Sequence, residues 1–505
     1  MDSFTLLIHG LQNALQPHYI MWALFGGILG IIVGALPGMG SSSGCALLLP
    51  LTYKLDPAAA IIMLGALYFG NMFGGAISAI LINIPGDSPA VMTAMDGYKM
   101  TQKGQAGKAL FTAFFASFIG GLLGAFFLTF LGEILTNIGL AFGPAEMTLL
   151  IMFAMTSIAW ALGESPVKGL ISTCIGLAVA LIGVDIITGY KRMTFGMVNL
   201  LGGLEFIPVV IGLFGMSQVI KTIVDMEKEQ KAVETRIRFR ECLLEGKEML
   251  RCLLSSIRSA VIGFFVGVLP GSGATLGSLL SYLAAKRIEK RDVGTGVPEG
   301  IASVEAANNA ASIGSFAPLL ALGIPGSGTS AILLGGLMMW GLQPGPLFMT
   351  QQSELAWSMI GSMYISDILI AVICLLALPF LTRILKVSTK ILAPVIIAVC
   401  IVGAYSAGNN IFNVYVMFIM GILGYFLNKY NYPLAPLTLA IVLAPKFETS
   451  MRQAFLISGG RLSGFAASGV SITLLVLIAL FILAPVCVNQ IGKAARKRKT
   501  AESDK

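Results

Sequence analysis

The stretch VGALPGMGSSSG at residues 33–44 is nearly repeated later in the chain by VGVLPGSGATLG at residues 266–277. Valine, leucine, proline and four glycines match in register, so that Pro270 takes the place of Pro37. Each stretch follows an apolar run long enough for a membrane helix, although glycine and proline are poor helix formers. The repeated motif therefore predicts two similar halves, each interrupted at membrane depth.

A second pair of motifs supports a duplication. INIPGDSPA at residues 82–90 is similar to LGIPGSGTSA at residues 322–331. A polar segment at 224–250, rich in Glu, Lys and Arg, lies between the halves and is typical of a solvated linker with helical propensity. The predicted organisation is a first repeat at 1–222, a charged linker at 223–257, a second repeat at 258–490 and a basic tail at 491–505.

The composition is that of a membrane protein. Of the 505 residues, 56% are hydrophobic and only 11% are charged, and the mean hydropathy is +0.86. Soluble domains carry about a quarter charged residues. We therefore predict a polytopic membrane protein with about ten to twelve membrane elements. The long apolar runs lie at 19–36, 109–131, 143–163, 166–188, 205–222, 355–382, 388–406, 407–426 and 466–488.

Several other protein classes are disfavoured. The two histidines, His9 and His18, precede the first long apolar run, which argues against His-based catalysis. The seven cysteines form no C-x-x-C pair, and no phosphate-binding loop of an ATPase is present, so neither a disulfide framework nor a metal or nucleotide site is expected. The net charge of +8 lies in loops and in the tail, where it orients a membrane chain and does not indicate a nucleic-acid partner. A first segment without Lys or Arg argues against a signal peptide.

Basic loops mark the cytoplasmic side of a membrane protein. The linker and the tail are both basic, so both, including the C-terminus, are predicted to be cytoplasmic. Arg258 precedes the second motif and Lys286 and Arg287 follow it, with arms of about 12 residues, too short to span a bilayer. We therefore predict a re-entrant helical hairpin that enters from the cytoplasm, with its tip near 270–277.

The first motif lacks such flanks, because only Lys54 lies in the loop after it. Its hairpin, with a tip near 37–44, is predicted to enter from outside, which places the N-terminus in the periplasm. Interrupted helices near 57–94 and 301–342 then cross in opposite directions. The fold class is therefore an all-α polytopic membrane protein of two inverted repeats, each with a re-entrant hairpin and an interrupted helix. When the crossings are counted in this way, the basic pair at 191–192 lies on the periplasmic side. This contradicts the rule that basic loops are cytoplasmic.

Such repeats are a secondary-transporter architecture. Broken backbone in lipid is tolerated only where protein buries it or where it lines a wet cavity, and there helix N-termini attract anions and freed carbonyls can hold Na⁺. The predicted substrate-binding residues are Gly38, Gly40, Ser41, Ser42, Ser43, Asn71, Gly271, Ser272, Gly273, Thr275, Asn308, Asn309, Ser327 and Thr329. The predicted Na⁺-binding residues are Asn83, Pro85, Gly86, Asp87, Ser88, Pro325, Gly326 and Gly328. No other metal and no organic cofactor is expected.

Alternatives remain open at this point. Any single glycine could instead serve helix packing. A proton could replace Na⁺ as the coupling ion, and an acid in or near an apolar run, such as Asp367, would then carry it. The other acids in such positions are Glu146, Asp185, Glu205 and Glu305. GSSSG at 40–44 matches the nucleophile elbow of hydrolases, but the strand–turn–helix context and a histidine partner are missing. An intramembrane hydrolase and a passive channel are both less favoured than a transporter.

The residues also carry a family resemblance. The run GALPGMGSSSGCALLLPLTYKLDPAAAIIMLGALYFGNMFGGAISAILINIPGDSPAVMTAMDGYKM, residues 34–100, resembles the signature region of the large membrane subunit of tripartite tricarboxylate transporters. GVLPGSGATLGS at 267–278, PEGIASVEAANNAASIGSFAPLLALGIPGSGTSAILLGG at 298–336 and GLQPGPLF at 341–348 resemble its second half. The resemblance extends over the chain to about residue 490.

The resemblance implies a transporter subunit and no enzyme. Such subunits work with a small four-helix membrane subunit and a periplasmic solute-binding protein. Together they import carboxylates, of which citrate and other tricarboxylates give the family its name, across a bacterial inner membrane and are driven by an ion gradient. The resemblance also implies an elevator-type fold, in which one bundle moves against a scaffold.

Overall fold

The computed structural model describes residues 3–36, 38–161, 166–185, 187–224, 242–271, 273–289, 291–380 and 389–480. The first half contains helices α1 (Ser3–Ala14), α2 (Pro17–Ala35), α3 (Ser41–Leu48), α4 (Pro57–Ile82), α5 (Val91–Gln102), α6 (Ala106–Leu140), α7 (Pro144–Ala161), α8 (Pro166–Ala180), α9 (Phe206–Val210) and α10 (Ser217–Val224), with a π-helical stretch at Ile211–Met216 and 3₁₀ turns at Leu49–Lys54 and Ser88–Ala90. Strands β1 (Gly183–Val184) and β2 (Lys191–Arg192) form a small antiparallel hairpin.

The second half is helical as well. It contains α11 (Gly246–Val268), α12 (Gly273–Ile288), α13 (Pro298–Gly314), α14 (Phe316–Leu322), α15 (Gly328–Met339), α16 (Pro346–Gln351), α17 (Ser353–Ala377), α18 (Thr389–Gly408), α19 (Ile411–Lys429), α20 (Leu434–Ile457) and α21 (Gly469–Leu480).

The helices have the lengths and the composition of a polytopic membrane protein. In the part of the chain that the structure describes, seven helices are long and apolar enough to cross a bilayer, and shorter apolar helices accompany them. The all-α polytopic prediction is therefore confirmed. The predicted run at 166–188 is helical only as far as Ala180, because the β1–β2 hairpin follows. The direction in which each half crosses the membrane stays a prediction.

Glycines bring α2 and α4 into backbone contact. A Cβ atom on Gly26 would lie 2.1 Å from the carbonyl oxygen of Met63, and one on Gly34 would lie 2.3 Å from that of Asn71. From the first contact to the second, the chain moves forward by eight residues on α2 and by eight residues on α4, so the two helices run parallel. Small residues allow such close approach, and packing then replaces the hydrophobic effect that lipid does not supply.

The second half repeats this arrangement with α11 and α13. A Cβ atom on Gly263 would lie 2.2 Å from the carbonyl oxygen of Ala307, and one on Gly267 the same distance from that of Ala311. Gly267 occupies the position of Gly34 in the repeated motif. Corresponding glycines thus make corresponding helix contacts in the two halves.

The second motif forms the turn of a helical hairpin. The Ser281 hydroxyl of α12 donates to the Ser259 carbonyl of α11 at 3.5 Å, and Gly277 lies against Gly263, so the arms run antiparallel. The arms are longer than predicted, since α11 has 23 residues and α12 has 16. The prediction began the first arm at Arg258 because charged residues precede it, but these residues are accommodated by ion pairs such as Lys108–Glu248 at 2.8 Å. Residues 225–241 of the predicted linker lie outside the described residues.

Both predicted helix interruptions are present. Helix α4 ends at Ile82, and Asn83 follows in the left-handed conformation with φ 59°. Helix α14 ends at Leu322, and Gly323 follows with φ 70°. After each break the chain passes through the repeated Ile-Pro-Gly sequence and enters a new helix. Asparagine and glycine are the residues that tolerate this backbone conformation best.

A loop of the second half is held by an acid of the first. Asp96 on α5 is fully buried, and its carboxylate accepts hydrogen bonds from the backbone N–H groups of Gly294 at 2.9 Å, Gly296 at 2.7 Å and Val297 at 3.1 Å. The Tyr282 hydroxyl donates to the same carboxylate at 3.0 Å. Asp96 therefore fixes the α12–α13 loop against α5.

We expect Asp96→Asn to lower the free energy of unfolding by about 2 kcal/mol, since charge-assisted hydrogen bonds to a buried carboxylate are lost. Thermal unfolding in detergent, followed by size-exclusion fluorescence, measures the effect. Asp292→Asn is the matched control, because Asp292 lies in the same region and is exposed. Equal stability of both variants would contradict the role of Asp96.

The basic pair at 191–192 is partly neutralised by ion pairs. Arg192 contacts Glu448 at 3.0 Å and Asp185 at 3.8 Å, and Arg452 contacts Asp185 at 2.6 Å. Hydrogen bonds from Arg452 and from the backbone N–H of Ile187 hold the pKa of Asp185 below its usual range. A paired arginine is a weaker topological signal than a free one, and the orientation of this segment stays a prediction.

Candidate functional site

The first tip meets the second half of the chain at a cluster of hydroxyl groups. The Ser41 hydroxyl lies 2.8 Å from that of Thr329, and the Ser42 hydroxyl lies 3.0 Å from the same Thr329 oxygen. Ser41 and Ser42 begin α3, and Thr329 is the second residue of α15. Two helix N-termini from different halves therefore meet at neutral donors and acceptors.

A carboxylate already occupies the N-terminus of α3. Asp87, in the break after α4, accepts hydrogen bonds from the Ser41 backbone N–H at 3.0 Å and from the Ser41 hydroxyl at 2.9 Å. It also accepts from the Ser88 N–H at 2.7 Å. A negative charge at a helix N-terminus is stabilised by the helix dipole. The start of α3 is therefore less suited to a second anion than to a cation.

The N-terminus of α15 carries no acid. Its N-cap is Ser327, which accepts from the Ser330 N–H at 3.1 Å while the Ser330 hydroxyl accepts from the Ser327 N–H at 2.8 Å. The Tyr68 hydroxyl of α4 lies 3.4 Å from that of Ser327. In the repeat Ser327 takes the place of Asp87, so the two halves differ in charge at equivalent positions.

Asn71 lies beside the first tip. Its side chain is fully buried, and its amide donates to the Met39 carbonyl at 3.4 Å. The Asn71 Oδ1 atom has no hydrogen-bond partner in the described residues. A buried acceptor without a partner is costly, and a bound ligand or water would satisfy it.

The second tip packs against its own broken helix. The Gly271 N–H donates to the Gly326 carbonyl at 3.0 Å, and Ser157 of α7 donates to the Pro270 carbonyl at 2.7 Å. Thr275 is half-buried on α12, which packs on the 3₁₀ turn at Ser88–Ala90. Ser272 lies outside the described residues.

The other predicted residues have varied surroundings. Gly40 lies against the Asp87 carboxylate, Ser43 is buried in α3, and Gly38 is exposed with φ 78°. Asn309 donates to the Glu305 carbonyl at 3.0 Å. In the two breaks the burial differs: Asn83 and Ser88 are exposed and Pro85 is half-buried, whereas Gly86, Pro325, Gly326 and Gly328 are buried.

Sequence reasoning missed three groups at this site. They are the Tyr68 hydroxyl, the Ser330 hydroxyl and the Met39 carbonyl. Tyr68 could have been found from the repeat. When Pro85 is aligned with Pro325, Tyr68 takes the position of Asn308, which the sequence analysis already predicts to bind substrate. The other two belong to a helix cap and to the backbone, which a residue pattern does not reveal.

A separate cavity of about 740 Å³ opens between α8, the β1–β2 hairpin, α15 and α20. Its walls are mostly apolar, and its charged residues are Asp185, Arg192, Glu205 and Glu448. Gly335 and Met339 of α15 line it, roughly 9 to 15 Å along the helix from Thr329 of the hydroxyl cluster at 1.5 Å per residue. One helix therefore connects the cavity with the cluster.

A hydrolase is not supported by these contacts. The hydroxyls of Ser41 and Ser42 face Thr329 and Asp87, whereas His18 lies at the start of α2 and contacts Asp56 at 3.3 Å. No histidine in the described residues is placed to activate a serine, which a serine nucleophile requires.

The fold and site define a polytopic α-helical membrane protein in which the N-termini of α3 and α15 meet at a cluster of polar groups. Residues 20–439 match the model of the tripartite tricarboxylate transporter TctA family. The chain belongs to this family, which is a family of transporters. No solved structure matches the chain.

Two relatives from Agrobacterium vitis are similar to the chain. One, described as an uncharacterized 52.8 kDa protein in the TAR-I ttuC' 3' region, is 36% identical over 478 residues, 94% of each chain. The other, described as an uncharacterized protein in the TAR-II ttuC' 3' region, is 39% identical over 215 residues, 42% of this chain and 89% of the relative. The similarity to the first relative covers both repeated motifs.

Proposed function

We propose that this chain is the large membrane subunit of a binding-protein-dependent secondary transporter that imports carboxylates across a bacterial inner membrane, coupled to a Na⁺ gradient. The observation that carries the proposal is the meeting of Ser41, Ser42 and Thr329, from opposite halves, beside the carboxylate of Asp87. Neutral hydroxyls and helix N-termini suit an anion, and a nearby carboxylate suits a cation.

The charge difference between the halves suggests where each ligand binds. The substrate carboxylate is assigned to the acid-free N-terminus of α15 and to the Ser42 and Thr329 hydroxyls. The coupling Na⁺ is assigned to the break at 83–88, where Asp87 supplies negative charge. Binding both together leaves the site nearly neutral, which lowers the cost of moving it through the membrane.

Transport is proposed to follow an elevator movement. The hairpins and interrupted helices form the moving bundle, and helices such as α6 and α17 form the scaffold. The cavity beside α15 then serves as the entrance for substrate delivered by a periplasmic solute-binding protein, and a small four-helix membrane subunit completes the complex. Citrate and related tricarboxylates are the first substrates to test.

Proton coupling is the second candidate, and one observation favours it. Glu305 and Asp367 are fully buried acids, and neither has a basic partner among the described residues. Buried intramembrane acids of this kind commonly carry protons.

Uptake of labelled citrate into proteoliposomes tests the proposal. The vesicles contain this chain with its small membrane partner, and a matching binding protein is added outside. Uptake that needs both an inward Na⁺ gradient and the binding protein supports the proposal. Uptake with an H⁺ gradient alone moves the coupling site to the buried acids, and uptake without any gradient or binding protein indicates a channel.

We expect Asp87→Asn to raise the Na⁺ concentration for half-maximal uptake by about tenfold, because a charged ligand is replaced by a neutral one. The measurement is initial uptake against Na⁺ concentration. Asp56→Asn, at the exposed N-cap of α4, is the control and leaves the Na⁺ dependence unchanged. If Asp87→Asn lowers only the thermal stability, Asp87 is a helix cap and no ion ligand.

A further inference from the structure

Glu305 places a carboxyl group inside a fully buried helix of the second half. Every residue of α13 is buried, and Glu305 itself is 0% exposed. One of its carboxyl oxygens accepts a hydrogen bond from the Thr93 hydroxyl of α5, and the other accepts from the Ser117 hydroxyl of α6 at 3.3 Å. The carboxyl group therefore lies where α13 meets two helices of the first half.

Among the described residues no basic side chain forms an ion pair with Glu305, and the other acid of α13, Glu299, lies 3.7 Å from both Arg251 and Arg291. On α11, Arg258 contacts Glu289 at 2.6 Å. On α5, Asp96 holds the α12–α13 loop and Lys99 donates to the Gly294 carbonyl. Helices α4 and α14 contain no charged residue. The remaining charged groups on these neighbours are Lys247, Glu248 and Arg251 on α11, Lys108 and Glu133 on α6, and Lys286 and Arg287 on α12, with Asp87 just before the 3₁₀ turn at Ser88–Ala90.

A buried carboxylate without a counter-cation is too costly to remain ionised. Its neighbours among the described residues are two hydroxyls and the amide of Asn308, one helical turn further along α13. The Asn308 Oδ1 atom is buried and has no hydrogen-bond partner. Hydroxyl and amide groups can hydrogen-bond to a protonated as well as to an ionised carboxyl group, so the site accommodates both states.

The equivalent position in the first half holds no acid. Aligning the two Ile-Pro-Gly motifs places Gly65 opposite Glu305, and the space around a Cβ atom on Gly65 is empty to 4 Å. The carboxyl group is therefore a feature of one half only. Packing does not demand it, since the matching position in the repeat is filled by glycine.

We propose that Glu305 is a proton-binding site at the contact between the two halves, and that it takes up and releases one proton in each transport cycle. The proposal rests on the transport function proposed above. In the arrangement described here, burial without a counter-cation favours the protonated form of the carboxyl group. Movement of α13 along α6 would remove the Ser117 hydroxyl and expose the carboxyl group to water, where the proton leaves and the carboxylate remains.

Glu305→Gln tests the proposal, because glutamine has the shape of the protonated acid and cannot release a proton. The complex in proteoliposomes is assayed with labelled citrate at a series of pH values. We expect exchange of internal for external citrate to stay within about twofold of wild type and to become independent of pH, while net uptake falls by about tenfold. Wild-type net uptake with the wild-type pH profile would overturn the proposal.

Variants of the neighbours keep the test valid if Glu305→Gln does not fold. Ser117→Ala removes a donor that favours the ionised carboxylate, so the pH profile of uptake should move to higher pH. Ser366→Ala is the matched control, since Ser366 is a buried serine on α17 without a hydrogen bond from its hydroxyl. A pH profile that stays in place with Ser117→Ala would also overturn the proposal.

Infrared spectroscopy separates this inference from the transport proposal. The purified complex should show a protonated-carboxyl band that is absent from Glu305→Gln, whether or not citrate is carried. If the wild type carries no carboxylate but the band is present, the transport proposal fails and the proton site remains. If the band is the same in both proteins, the proton site is excluded.

Discussion

Ser42→Trp is expected to abolish carboxylate uptake while the protein still accumulates in the membrane. Ser42 is half-buried, and its hydroxyl lies 3.0 Å from that of Thr329. An indole ring at this position fills the space between the two helix N-termini, where the substrate carboxylate is proposed to bind. Because Ser42 is at a tip and is not fully packed, the fold has room to adjust. Uptake in proteoliposomes and size-exclusion profiles of the detergent-extracted protein are the two measurements.

Thr275→Trp extends this test to the second tip, because Thr275 takes the place of Ser42 in the repeat and is also half-buried. The same loss of uptake is expected. Met95→Trp provides the control, since Met95 is 47% exposed on α5 and the larger ring finds room there. Normal uptake by both tip variants would contradict the assignment of the tips to the substrate site.

Gly34→Val should prevent accumulation of folded protein. A Cβ atom at Gly34 would lie 2.3 Å from the Asn71 carbonyl oxygen, a distance at which backbone atoms must separate. The contact joins α2 to α4 directly beside the first tip, so that separation disturbs packing along both helices. We expect the free energy of unfolding to fall by about 4 kcal/mol or more. Thermal unfolding in detergent and the yield of monodisperse protein report the loss.

Gly65→Ala is the matched control on α4. Because the space around its Cβ atom is empty to 4 Å, alanine fits there, and its higher helix propensity changes stability by less than about 1 kcal/mol. A Gly34→Val protein as stable as Gly65→Ala would show that α2 and α4 are not held by this backbone contact.

The breaks in the helices could be predicted from local sequence. Asn83 and Gly323 lie where the structure has left-handed residues, and the Ile-Pro-Gly sequences lie between two helices in each half. The lengths of the hairpin arms could not be predicted in the same way. Glu248 makes the start of α11 too polar for a membrane helix in sequence, but pairing with Lys108 lets the helix continue through it.

The composition of the site was only partly predictable. Serine, threonine and asparagine beside the breaks were expected to bind ligand, and Ser41, Ser42 and Thr329 do lie together. Asn309 makes no hydrogen bond with them among the described residues, because the direction of a side chain on a helix depends on the neighbours of that helix. The capping role of Asp87 was also hidden, since its partner Ser41 lies 46 residues earlier in the chain.

The amino-acid sequence alone was sufficient to predict an all-helical membrane chain with a repeated motif and a proline–glycine interruption in each half. These properties follow from local preferences: apolar runs favour membrane helices, and glycine and proline end them. The tertiary structure was needed to establish which groups meet across the halves. Ser42 and Thr329 are 287 residues apart, and Thr93 and Glu305 are 212 apart. No local pattern relates such residues, because only the packing of α3 on α15 and of α5 on α13 brings them together.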